Sequence, residues 1–264
     1  MSLIDVLLVL AAAVVVPLAL PLLMDGVDVR PWIATGALTA PSLLLDRGGA
    51  AAVALAAPWL ALAAGTAVVA AIRRVRSTEP WTIDDVSAPV ALAYLAGAAG
   101  SLVASRAGFT FRHLAEPIVQ LTAIHYSYAG FVAPVLARQL RRHVGASAAS
   151  TGTLALFLVA PPIVATGFVT RAAVFQVGGA VLLLVATWTM AAITLIRAPH
   201  HPLLVASSLA VLAPMVLAVS WASAQFWDVP ALGIPDMART HGTLNALGFS
   251  LCGVLGWRAV ATRS

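Results

Sequence analysis

Lysine is absent from this chain: all fifteen basic residues are arginine. Cysteine occurs once, as Cys252, which excludes an intrachain disulfide and any multi-cysteine metal cluster. Charge of either sign is scarce, at 9% of positions, and the arginines stand singly or in short groups at the ends of apolar runs. No basic surface stands clear of those runs, so the formal net charge of +5 does not indicate nucleic-acid binding. Gly-rich phosphate loops, nucleophile elbows and the HExxH pair are missing too. No basic stretch precedes the first apolar run, which starts at Leu3 and is long enough to span, so it reads as a retained helix and not as a cleaved signal.

What is present is apolar surface. Of 264 residues, 61% are hydrophobic, and the mean hydropathy is +0.97. A soluble domain of this length cannot hide that much. The apolar/polar alternation of a membrane barrel strand is absent, which leaves helices as the way to satisfy the backbone in lipid. The expectation is an all-α, polytopic transmembrane helical bundle forming a single integral-membrane domain over residues 1–264. Nine apolar segments are legible: 3–24, 31–45, 50–72, 86–104, 117–137, 151–170, 173–196, 202–226 and 237–257. The second has about fifteen residues against the usual ~17 to 25 for a span, so eight or nine transmembrane helices are expected. Short loops leave no room for a soluble domain, and no internal repeat marks a two-fold carrier.

Arginine placement orients the chain, because cytoplasmic loops are enriched in it. Arg73, Arg74 and Arg76, then Arg138, Arg141 and Arg142, then Arg197, then Arg258 and Arg263 fall on one side if segments three to nine each cross once. The other side carries Arg47, Arg106, Arg112, Arg171 and Arg239. The C-terminus is therefore expected in the cytoplasm. If the second segment crosses, the N-terminus with Asp5 lies outside, in agreement with the same rule.

Polar residues inside hydrocarbon are costly, so each needs a partner or a task. Segment five is the richest in them. Pro117 suits a helix start, which puts Glu116 against the positive end of the helix dipole. The plain alternative for Glu116 is a solvated residue at the membrane surface. His125 lies about eight residues further in, ~12 Å at 1.5 Å per residue, with Thr122 and Tyr128 three positions away on its face. In segment nine His241 and Asn245 are four apart and stack on one face. Their depths, ~7 and ~13 Å from the outer side, match those of Gln120 and His125. Segment eight brings Trp221 and Gln225 towards the same outer interface, although an aromatic belt explains Trp221 and Trp227 equally well. Gly248, Cys252 and Gly256 read as small residues for close helix packing. Two histidines without a further ligand at suitable spacing do not make a metal site, and no metal or cofactor is expected.

Two blocks resemble a known family. Leu121-Thr-Ala-Ile-His125-Tyr-Ser-Tyr128-Ala-Gly-Phe131 and Thr240-His241-Gly-Thr-Leu-Asn245-Ala-Leu-Gly-Phe249 resemble the LTAvHFHYAGF-type and THGxxNAxGF-type blocks of the YndJ-like bacterial membrane proteins. Ser127 stands where the first block carries a second histidine, which weakens any relay or metal site built on that position. The resemblance implies a multi-helix protein of the bacterial inner membrane.

Glu116, His125 and His241 are thus expected as acid and base groups, with Gln120, Tyr128, Asn245, Trp221 and Gln225 orienting a substrate. The corresponding function is a membrane-embedded acid/base enzyme acting on a lipophilic small molecule, a cyclase or isomerase of a terpenoid or polyketide epoxide or polyene. Its expected partners are the lipid bilayer and that substrate. The same residues also suit a small-molecule or proton-coupled transporter, or a structural or regulatory subunit whose polar groups join helices.

Overall fold

A computed structural model describes residues 1–110 and 113–262; Arg112 and Arg263, two of the arginines that orient the chain above, lie outside these. The described residues fold into helices and their connections, with no strand. Among them, seven helices are long and apolar enough to cross a membrane: α1 (Leu3–Leu23), α4 (Ala50–Arg76), α5 (Ile83–Arg106), α7 (Ala148–Thr170), α8 (Ala173–Arg197), α9 (Pro202–Ser223) and α10 (Ile234–Ala261). An eighth continuous helical run, α6, covers 118–144 and has the polar first half expected of segment five. Segment two is a broken pair, α2 (Arg30–Ala37) and α3 (Thr39–Leu44).

The helix starts follow local chemistry. Ser2 caps α1 and Thr82 caps α5, each in a reciprocal box with an aspartate three residues on. Asp5 thereby serves its own helix start, its Oδ2 accepting from the Ser2 backbone N–H at 2.6 Å. Prolines interrupt α1, α4, α5 and α7, which spanning helices tolerate because neighbouring helices and local adjustments satisfy the freed groups.

Contacts divide the chain into two compact units, Met1–Val135 and Leu136–Ser264. In the first, α1, the α2–α3 pair, α4, α5 and the first half of α6 alternate in direction. Asp5 at the start of α1 meets Gln120 near the start of α6, and Gly48, just beyond α3, donates to the Arg106 carbonyl at the end of α5. The α2–α3 pair therefore runs back along α1. Its fifteen residues reach about 22 Å, less than a ~30 Å hydrocarbon core. Gly36 makes this approach possible: a Cβ there would lie 2.2 Å from the Ala12 carbonyl oxygen.

In the second unit α7 and α8 form a tight hairpin through Gly167 and Gly179. The α9–α10 pair is close-packed as expected from the small residues. A Cβ on Gly248 would sit 2.4 Å from Ala210 Cβ, and one on Gly256 2.5 Å from Leu204 Cδ2. Gly253, not Cys252, completes the stripe, facing Leu136 and Ser207, while Cys252 is half-exposed.

Candidate functional site

A polar cluster closes one end of the first unit. Gln120 is 2% exposed; its Nε2 donates to Asp5 Oδ1 at 2.6 Å and its Oε1 accepts from Arg47 at 3.2 Å. Arg47 also faces Glu116 Oε2 at 3.8 Å. That same oxygen accepts the Gln120 backbone N–H at 3.3 Å, so Glu116 caps the start of α6, as expected of a carboxylate at the positive end of a helix dipole, with Pro117 as the capping position itself. Arg106 is buried, donates to the Leu45 carbonyl and lies within electrostatic reach of Arg47, Asp5, Glu116 and Asp46. Among the described residues, two buried polar atoms of this cluster have no hydrogen-bond partner: Glu116 Oε1 and Arg106 Nε.

Next to the chain stretches that carry the cluster, α5 and α6 leave a recess of about 320 Å³ lined by Gly97, Gly100, Ser101, Ala104, Phe109, Leu114, Val119 and Thr122. The α5 positions recur at three- and four-residue spacing, so they form one face of small side chains, and the absent bulk is the recess. Tyr126 lies at Gly97, where an added Cβ would be 3.5 Å from its ring. Its ring in turn stacks on Tyr94 at 5.6 Å and 7°. Ala104, Leu114 and Val119 line the recess, and Arg106, Glu116 and Gln120 follow them by one or two residues, so the same stretches build both features.

The other expected residues are placed as follows. His125 is exposed, with Nδ1 2.7 Å from the Leu121 carbonyl of its own helix. Tyr128 is buried and donates its hydroxyl to Leu7 O at 2.9 Å, joining α6 to α1; it does not line the recess. In the second unit His241 Nδ1 lies 2.8 Å from Pro214 O, linking α10 to α9. Asn245 Nδ2 donates to His241 O at 2.7 Å and lies 3.3 Å from His241 Nδ1. Trp221 stacks on Phe168 at 6.1 Å, and Gln225 is exposed and donates to Trp221 O. Glu116, Gln120, His125 and Tyr128 thus belong to one unit and His241, Asn245, Trp221 and Gln225 to the other. Asp5, Arg47 and Arg106 were missed as site residues; the only signal was that all three fall on the outer side when the chain is oriented by its arginines.

Both quoted blocks coincide with wide, π-helical turns, over Tyr126–Val132 and over Ala238–Gly242 and Leu244–Leu251. Such turns are rare, and they recur at functional sites.

The family model described as YndJ-like protein matches residues 6–249, which includes both blocks. The chain belongs to the YndJ-like family. It is 26% identical over 196 residues to the "Uncharacterized membrane protein YndJ" of Bacillus subtilis (strain 168). That alignment covers 71% of this chain and 35% of the relative, so the chain spans about a third of the YndJ relative's length. No solved structure matches. YndJ-like membership and the apolar helices together make this a multi-pass membrane protein.

Proposed function

We propose that this protein is an acid/base enzyme of the bacterial inner membrane, of cyclase or isomerase type, acting on a lipophilic epoxide or polyene held in the recess between α5 and α6. What supports the reading is the buried Glu116 Oε1, which has no hydrogen-bond partner among the described residues and lies two residues beyond Leu114, which lines a recess of about 320 Å³. A buried carboxylate oxygen without a hydrogen bond is costly, and a substrate proton or hydroxyl answers it. In this reading Glu116 transfers the proton, Gln120 and Arg47 hold its other oxygen, and the small residues of α5 shape the apolar volume around the substrate.

A different role is favoured for the second unit. His241 bonds the α9 backbone at Pro214 and Asn245 donates back to His241 O within α10, so we assign them to joining and bracing helices rather than to chemistry.

Turnover of lipophilic epoxides and polyenes by the purified chain in lipid nanodiscs tests this. Glu116→Gln removes the transferable proton, and Gly100→Leu fills the recess without touching the cluster; each is expected to lower kcat/KM about a hundredfold or more, within the range for a general acid or base. Unchanged turnover in both variants sinks the proposal. So does uptake of the same compounds into proteoliposomes without chemical change, which is the outcome of a carrier.

A further inference from the structure

The wall of the recess carries one side-chain proton that the protein does not use. Several serines and threonines inside the helices return their hydroxyl to the carbonyl four residues back, as Thr66 does to Leu62, Ser127 to Ala123 and Thr194 to Met190. Ser101 does not: it is half-buried and lines the recess, and among the described residues its hydroxyl has no hydrogen-bond partner. We infer that Ser101 is a specificity-determining residue, its hydroxyl donating to a single uncharged acceptor oxygen, of epoxide or carbonyl type, on the lipophilic substrate. This rests on the recess being the substrate site, and it adds which of the candidate substrates the recess prefers.

The lining narrows the class. Only Ser101 and Thr122 bring a polar side chain to it, and none of its residues is charged. The Thr122 proton is engaged by the Ile118 carbonyl at 2.9 Å, which leaves Ser101 as the uncommitted side-chain donor. Ser101 precedes the end of α5 at Arg106 by five residues, ~7.5 Å at 1.5 Å per residue, which places it within the apolar span. A hydroxyl left unanswered in an apolar surround is costly, and an acceptor oxygen on the ligand removes that cost. An oxygen-free polyene fills the same volume and leaves the hydroxyl unanswered. A carboxylate or ammonium brings a charge that no residue of the lining neutralises. Gly97 and Ala104 flank Ser101 on its own face, so no bulky neighbour on α5 keeps a ligand oxygen from it. Ser105, one turn on, supplies a contrast: among the described residues its hydroxyl also has no partner, but it is fully buried and does not line the recess.

The test measures binding of tritiated 1,2-epoxydodecane to the full chain in nanodiscs, with 2-dodecanone and 1-dodecene as competitors at equal mole fraction in the lipid. The epoxide is expected to bind saturably, the ketone to compete comparably, and the alkene to compete about tenfold less well, the scale of one hydrogen bond. Ser101→Ala breaks no hydrogen bond within the protein and is expected to erase that preference, whereas Ser105→Ala is expected to keep it. Gly100→Leu is expected to abolish binding. An alkene that competes as well as the epoxide, a preference that survives Ser101→Ala, or no saturable binding at all overturns the inference. Ser101-dependent binding with no turnover of any epoxide or polyene overturns the enzyme reading alone; turnover indifferent both to Ser101→Ala and to the substrate oxygen overturns this inference alone.

Discussion

Gln120 donates to Asp5 at 2.6 Å across 115 residues of sequence, which fastens the start of α6 to the start of α1. The same side chain accepts from Arg47, so one amide joins three segments. Gln120→Leu removes both bonds and leaves Asp5 Oδ1 without its partner, while Oδ2 keeps Ser2. The expected cost is about 1–3 kcal/mol, the range for leaving a buried polar group unsatisfied. Unfolding of the purified chain in mixed micelles measures it, and a double-mutant cycle with Asp5→Ala is expected to be non-additive.

Gly130 packs its bare Cα face onto Tyr94: an added Cβ would meet Tyr94 Cβ at 2.8 Å and Tyr126 Cδ1 at 3.2 Å. Gly130→Ala is expected to destabilise the first unit by about 1–3 kcal/mol, as overpacking does, and to disturb the Tyr94–Tyr126 stack. Gly65 lies inside α4, where an added Cβ would meet nothing within 4 Å. There the same substitution is expected to be neutral or stabilising by up to about 1 kcal/mol, from helix propensity alone. Thermal unfolding of the two variants side by side checks the contrast.

His241→Ala removes the link to Pro214 O and one neighbour of the Asn245 amide. A loss of about 0.6–2 kcal/mol is expected, the scale of interhelical hydrogen bonds in membranes, with turnover per folded molecule retained. A variant of wild-type stability that has lost turnover would return His241 to the chemistry.

Topology is open to cysteine labelling in a Cys252→Ser background. Ala107→Cys and Ala231→Cys, both at exposed loop positions, are expected to react with a membrane-impermeant maleimide from outside intact cells. Asp25→Cys, Thr78→Cys and Ala146→Cys are expected to react only after permeabilisation. Asp25 is the informative position: labelling from outside would mean that the α2–α3 pair does not cross.

The fold was legible in the sequence because hydrocarbon imposes it. Apolar runs of spanning length admit few alternatives, and eight of the nine segments reappear as helical runs with ends shifted by a few residues, the second as a broken pair. Segment two is ambiguous by length and is placed by the contact of Gly36, within it, with Ala12 and of Gly48, just beyond it, with Arg106. Glu116 and Gln120 were readable as polar residues near a helix start. Asp5, Arg47 and Arg106 were not, because each looks like an ordinary interfacial charge until its segment is placed beside the others. Helical periodicity reports which face a residue occupies, not which helix lies opposite. For the same reason the buried Tyr128 and exposed His125, three residues apart, could not be told apart from their spacing.

The wide turns within the two motif blocks have a further consequence. Such a turn holds one residue more than an α-turn, so the helix beyond it is rotated by about 100° relative to an uninterrupted one. The stretch Tyr126–Val132 therefore acts as a phase adjuster in α6, setting the polar turns that carry Gln120 and the apolar turn that ends at Val135 at independent rotations. Deleting a single residue there would restore ordinary α pitch and swing one of the two out of register. With the stretch at its present length, Gln120 reaches Asp5 while Phe131 and Val135 stay fully buried.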